Sequence, residues 1–249
     1  MGRWVSYEDI GCKNGAWGAL GNCSGGIDWR SMNTWDMIYE DAAIMVVYKP
    51  AGLAVETSKV AEKDLVSELA NYRKKEGEDP YVGVVSRLDQ PVEGVLVFGK
   101  TSNVTNQLTV QMREKRLWKK YHVIVTREAM PKEGSMTDYL MKDSTRNRAK
   151  VVDEDHPRAK KAVLHYRRLQ RLDGAALMEV TLDTGRFHQI RCQFAARTAP
   201  ILGDVKYGGP STGRALALAA VELNLQHPVS KEPLTFKINP KGEDFVDFL

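Results

Sequence analysis

Tyr81-Val82-Gly83-Val84-Val85-Ser86-Arg87-Leu88-Asp89 runs on through Gln90-Pro91-Val92-Glu93 into Gly94-Val95-Leu96-Val97-Phe98, two apolar runs with a polar centre. Runs of this length and composition read as buried strands, and Arg87-Leu88-Asp89 falls in the loop between them. A carboxylate on such a loop is poorly placed for stability and well placed for chemistry. Taken alone, Arg-X-Asp fits a surface ion pair worth about 0–1 kcal/mol equally well.

Working outward, Ile44 to Tyr48 reads as a strand, and Asp64 to Lys75 as a helix with Leu65, Leu69 and Tyr72 on one side. Thr101 or Ser102 caps a second helix whose Val104, Leu108 and Met112 recur every four residues. Leu117 to Thr126 alternates as a strand, hairpin-like segments fill 135 to 182, and Phe187 to Arg197 reads as a helix. Ala215 to Gln226 and Pro233 to Ile238 read as closing strands. Strands with a few interspersed helices predict an α+β fold, a single catalytic domain over residues 34–249. Residues 1–33 differ, with seven glycines, three tryptophans and no period. They are expected to be a loosely attached or disordered extension that the enzyme can lose, with Met32 a natural start.

At 249 residues the chain can bury a full core, and 43% hydrophobic with 27% charged residues is ordinary for a globular protein. No apolar run is long enough for a membrane span, and the first 30 residues lack a signal peptide's pattern. Cys12, Cys23 and Cys192 form no Cys-X-X-Cys pair, which argues against a disulfide framework or a zinc site and for a reducing cytoplasm. The net charge of +4 is modest but unevenly spread. Residues 113–120 hold five basic residues against Glu114, and 142–168 hold nine against four acids, which tilts the expectation toward a polyanionic partner.

Three further segments accompany the Arg-Leu-Asp loop: Val47-Tyr48-Lys49-Pro50-Ala51-Gly52-Leu53, Lys119-Lys120-Tyr121-His122-Val123, and Asp183-Thr184-Gly185-Arg186-Phe187-His188-Gln189-Ile190-Arg191 with Gly203-Asp204-Val205-Lys206-Tyr207-Gly208. In this order and at these separations they resemble the RluA-like RNA pseudouridine synthases, over about residues 38 to 240. Departures are Ser86 where the family usually has His, Val92-Glu93 where Thr-Ser is common, and Phe187 where Thr is usual. They bear on the substrate more than on the reaction.

The resemblance implies a mixed, largely antiparallel sheet flanked by helices and an isomerase that turns a uridine of ribosomal or transfer RNA into pseudouridine without a cofactor or metal. It implies Asp89 as nucleophile, Tyr121 as a ring stacking on the base, and Arg191 as the partner that holds Asp89 ionised, typically lowering its pKa by about 1–3 units. Read without it, Arg191 is a guanidinium within an apolar helix stripe, either paired with an anion or snorkelling to the rim, and Tyr121 fits a half-buried core tyrosine. Arg87 is implied to fill the space of a flipped base, where the bland alternative is a phosphate or structural contact. Lys119, Lys120 and Arg186 are candidate RNA contacts, with neutralisation of the two lysines expected to flatten the salt dependence of binding. Lys49-Pro50 is read as structural, His188 and Gln189 as either supporting the catalytic side chains from behind or structural, and Asp204 and Tyr207 as stabilising a loop. A monomer with no obligate protein partner is expected. The competing readings are a silent RNA-binding protein and a hydrolase pairing Asp89 with a second carboxylate.

Overall fold

In the computed structural model, residues 3–5, 35–58, 62–126, 130–172 and 174–248 are described. Two strands set the architecture, β3 (Ile44–Lys49) and β5 (Glu93–Gly99), both buried along their whole length. Alternate residues enter different cores: Met45, Val47, Leu96 and Phe98 face one, and Ile44, Val46, Val95 and Val97 the other. Strands apolar on both sides require a sheet covered on both faces. Helix α1 (Leu65–Lys75) sends Leu65 and Leu69 into the first core, while α2 (Ser102–Arg113) sends Val104 and Leu108 into the second. Asp64 caps α1 by accepting from the Ser67 amide at 2.8 Å, and Thr101 caps α2 by accepting from the Val104 amide at 3.3 Å.

Around this centre lie β1 (Arg3–Val5), β2 (Asp36–Glu40), β4 (Gly83–Val84), β6 (Trp118–Val125), β7 (Glu133–Asp143), β8 (Arg148–Val152), β9 (Lys160–Leu172), β10 (Ala175–Leu182), β11 (Leu218–Gln226) and β12 (Pro233–Lys237). The sheet order is β2-β3-β5-β11-β6-β10-β9-β7-β8, with β4 beside β5 and β12 beside β11. Among the described residues only β5–β11 and β1–β12 pair in parallel, so the sheet is mixed and largely antiparallel, the α+β arrangement expected. Short α3 (Gln189–Ala195) packs Ile190 and Phe194 into the first core, on the side of α1.

The β5–β11 crossing depends on a glycine. Gly94 has φ +133, and a Cβ there would sit 2.4 Å from the Ala220 carbonyl oxygen. Gly94→Ala is expected to destabilise the fold by roughly 2–4 kcal/mol through backbone strain and overpacking. Urea unfolding would measure it, and a change below 1 kcal/mol, on the order of an ordinary surface substitution, would contradict the stated fit.

One expectation changes. The helix foreseen from Phe187 begins only at Gln189, because His188 adopts a left-handed backbone (φ +50) that a right-handed helix cannot contain. Phe187 therefore lies outside α3 and stacks on the His188 ring. Most of residues 1–33 lie outside the described residues, but Arg3–Val5 pair in register with Leu234–Phe236. Among the described residues no helix is long and apolar enough to cross a membrane.

Candidate active site

The loop from Val85 to Val92 is anchored before it does any chemistry. Leu88 is buried in the first core. Beneath the loop, fully buried Lys49 donates to the carbonyls of Leu53 (2.7 Å), Pro50 (2.9 Å) and Gln90 (3.2 Å), which occupies all three ammonium protons. Gln90 and Gly52 exchange two further hydrogen bonds, at 2.8 and 3.0 Å. Burial pushes the Lys49 amine down to about 8, against the opposing pull of Asp89 and Glu93. The Lys-Pro segment is thus a clamp fixing the backbone next to Asp89.

Arg191 reaches Asp89 from α3, with Nη1 donating to Oδ2 at 3.2 Å. Its stronger partner is Asp204, which accepts from Nε at 2.7 Å and Nη2 at 2.8 Å in a two-pronged pair. This sharing corrects the expected effect on Asp89. Burial pushes the Asp89 carboxyl up; Arg191 and Lys49 pull it down and Asp204 pushes it up, and the net direction is upward. Burial disfavours the charged carboxylate, and the like charge of Asp204 offsets part of what Arg191 supplies. Asp204 is also the nearby second carboxylate that a hydrolase would need, but its side chain is 1% exposed and is absent from the cleft lining.

Asp89 opens into a cleft of about 650 Å³. Tyr121 lines its wall from β6; burial foremost, then the Asp89 charge, raise its phenol, so the ring carries its proton. Arg87 stands exposed at the mouth, held by Glu56 at 3.1 Å. Arg186 belongs to a built turn: its backbone amide and the Thr184 hydroxyl donate to Gln189 Oε1, both at 2.9 Å, and its Nε donates to the Lys161 carbonyl at 2.8 Å. Asp89, Tyr121, Arg191, Arg87, Lys119 and Arg186 all line this one cleft.

The two lysines differ from the expected pair of surface cations. Lys119 is buried on the cleft wall, donates to Ser86 Oγ at 2.7 Å, and is pushed down to about 7 by burial alone. Lys120 is absent from the lining and is shared between Glu179 (3.6 Å) and Glu222 (3.7 Å). Strand alternation carries the signal for this split, since Lys119 has the parity of Tyr121 and Val123 and Lys120 does not. Sequence reasoning also missed Trp118 and Met112, which are exposed apolar side chains on the cleft rim. His188, expected to be structural or to support the catalytic side chains from behind, has its Nε2 3.4 Å from both Asp89 Oδ2 and Arg191 Nη1. Among the described residues no group of three or more His, Cys, Asp or Glu is arranged to hold a metal ion.

The profile of the family described as "RNA pseudouridylate synthase" matches residues 43–196. Ribosomal large subunit pseudouridine synthase D of Haemophilus influenzae (strain ATCC 51907 / DSM 11121 / KW20 / Rd) is 30% identical over 230 residues, covering 86% of this chain and 69% of the relative. tRNA pseudouridine synthase C of Yersinia pestis is 30% identical over 220 residues, covering 80% and 84%. Among solved structures, Human RNA Pseudouridylate Synthase Domain Containing 4 has a TM-score of 0.69 at 23% identity, covering 83% of this chain and 89% of that one. At that identity the likeness concerns the fold.

Proposed function

This chain belongs to the RNA pseudouridylate synthase family, and on that premise we propose that Asp89 is the nucleophile with which it isomerises uridine in a structured ribosomal or transfer RNA. The observation that carries the reading is a carboxylate held by Arg191 in a cleft walled by Tyr121. The glycosidic carbon–nitrogen bond breaks with its electron pair on nitrogen, the base turns, and carbon 5 makes the new bond to the ribose. Uracil loses a proton at carbon 5 and gains one at nitrogen 1, so the step needs no oxidant, reductant or outside group. A covalent bond to Asp89 divides it into easier parts.

Tyr121 stacks on the base, a contact of about 1–3 kcal/mol. Arg191 orients Asp89. Arg87, exposed at the mouth, takes the space of the flipped base. Arg186 and Lys119 contact the RNA inside the cleft, and Lys120, already shared by two carboxylates, contributes less of the salt dependence. Substituting Lys119 alone should therefore weaken RNA binding more than substituting Lys120 alone, which filter binding across salt concentrations would check; equal effects would return both to a diffuse surface role. The enzyme acts as a cytoplasmic monomer.

Pseudouridine mapping of ribosomal and transfer RNA from cells with and without the gene tests the assignment. One or a few sites should vanish in its absence and return with the wild-type chain but not with Asp89→Asn. Identical maps would overturn it.

A further inference from the structure

The end of α2 is shaped to put side chains on the rim of the cleft. The Lys115 amide donates to the Met112 carbonyl at 3.2 Å and the Arg116 amide to the Gln111 carbonyl at 2.8 Å, with Lys115 left-handed at φ +58. This pattern usually closes a helix on glycine, because any other side chain there costs backbone energy. Here the position carries a lysine, and that lysine lines the cleft. The turn is also pinned from behind. Leu117 is buried in the second core, and buried Gln111 exchanges two hydrogen bonds with the Gln226 backbone, at 2.8 and 3.0 Å. A turn fixed in this way presents its side chains with little further ordering cost on binding.

Two side chains on this stretch of rim are apolar and face water. Met112 precedes the turn, and Trp118 follows it as the first residue of β6. Each is 38% exposed, and both line the cleft that holds Asp89. The lining around them is cationic, with Lys115, Lys119, Arg87 and Arg186. Lys115 Nζ lies 3.4 Å from Asp183 in an exposed pair, a weak partnership that a phosphate can replace. An aromatic face among cations matches a nucleobase on a phosphate backbone. The base must be unpaired, since a base inside a continuous duplex already has both faces stacked on its neighbours.

We infer that Trp118, with Met112 and Lys115, forms a shelf for an unpaired base next to the target uridine. The indole stacks on that base, Met112 flanks it, and Lys115 meets the adjoining phosphate. The shelf selects uridines in loops, bulges or strand ends over uridines within a continuous duplex. The inference rests on the reading of this cleft as the one that takes the RNA.

The test uses the full chain, a single-stranded oligouridylate and an RNA duplex of the same length. Dissociation constants at several salt concentrations, indole emission and melting temperature are measured for the wild type, Trp118→Ala, Trp118→Phe and Lys115→Asn. Asparagine is chosen because it tolerates the left-handed backbone. Trp118→Ala should weaken oligouridylate binding about 5- to 100-fold and leave duplex binding nearly unchanged. Its salt slope should stay at the wild-type value, because stacking releases no counterions. Trp118→Phe, which keeps an aromatic face, should recover most of the loss. Lys115→Asn should instead flatten the slope by about 0.7, the share of one phosphate contact on a single strand. A wild type that binds both RNAs alike, equal losses for the two RNAs, no loss for either, or a Phe variant no better than Ala would each overturn the shelf. Should Trp118→Ala not fold, emission decides. Oligouridylate should quench the wild type more than Trp118→Phe, and equal quenching would overturn the inference by placing the stacked base elsewhere. Turnover tests the nucleophile separately: an active Asp89→Asn with the expected binding pattern would overturn the reading of Asp89 and leave the shelf standing.

Discussion

Asp89→Asn is expected to abolish pseudouridine formation, by roughly 10⁴-fold or more, while the protein melts at the same or a higher temperature at neutral pH. Asparagine keeps the shape of the side chain and leaves Arg191 an oxygen. What it removes is a charge the fold holds at a cost. The Asp89 carboxyl lies above its usual 3.8 in the folded state because burial outweighs its cationic neighbours. A group whose folded pKa is raised stabilises the fold below its unfolded value, and that contribution is lost as pH rises through the folded value. The melting advantage of Asp89→Asn should therefore be present at neutral pH and shrink in acid. The same shift moves the acid limb of wild-type activity upward from the ordinary aspartate value. Melts at two pH values and a single-turnover pH profile would measure both effects. A lower melting temperature for Asp89→Asn at neutral pH would show that ionised Asp89 supports the fold.

The second large effect is expected at Arg191. Arg191→Met removes the two-pronged pair with Asp204, whose side chain is almost wholly enclosed, and the single bond to Asp89. It also removes a cation from the face of Tyr207, 5.1 Å from its ring centroid. Breaking a buried pair on one side costs about 3–5 kcal/mol, because a charge is left without a partner. Arg191→Met should lose that much stability along with nearly all turnover. Adding Asp204→Asn should restore much of the stability and none of the activity, separating the two carboxylates that one guanidinium serves. Arg191→Lys supplies charge without the planar fork and should recover little of either. Wild-type stability in Arg191→Met by denaturant unfolding would remove the pair from the account of the fold.

Much of this was legible along the chain, and what was not has physical causes. Asp89 and Arg191 could be read only together with the further segments that resemble the family, since the loop alone fitted a surface ion pair and the guanidinium in its apolar stripe could equally have snorkelled to the rim. The Arg191 stripe itself was drawn from Phe187, which the left-handed backbone at His188 cuts off from α3; no residue type announces that conformation at a histidine. Asp204 stayed hidden as the principal partner because it is 13 residues away through an irregular segment, where no period carries pairing information. The upward shift of Asp89 was hidden for another reason: it comes first from burial, which a place on a loop does not reveal. The different settings of Lys119 and Lys120 were overlooked for another reason: a count of charges along a segment ignores which face of a strand each occupies, and the alternation through Tyr121 already separated them.

The parallel pairing of Arg3–Val5 with β12 has a consequence for how the molecule behaves among its own copies. β12 lies against β11 on one side, and β1 occupies the other. Removing the first 33 residues would bare a row of amide and carbonyl groups along β12, a template for any passing strand. Shelf life would then be the casualty: light scattering rising with protein concentration, and slowed by a proline or lysine set into β12, would report a shortened chain that no longer keeps to itself.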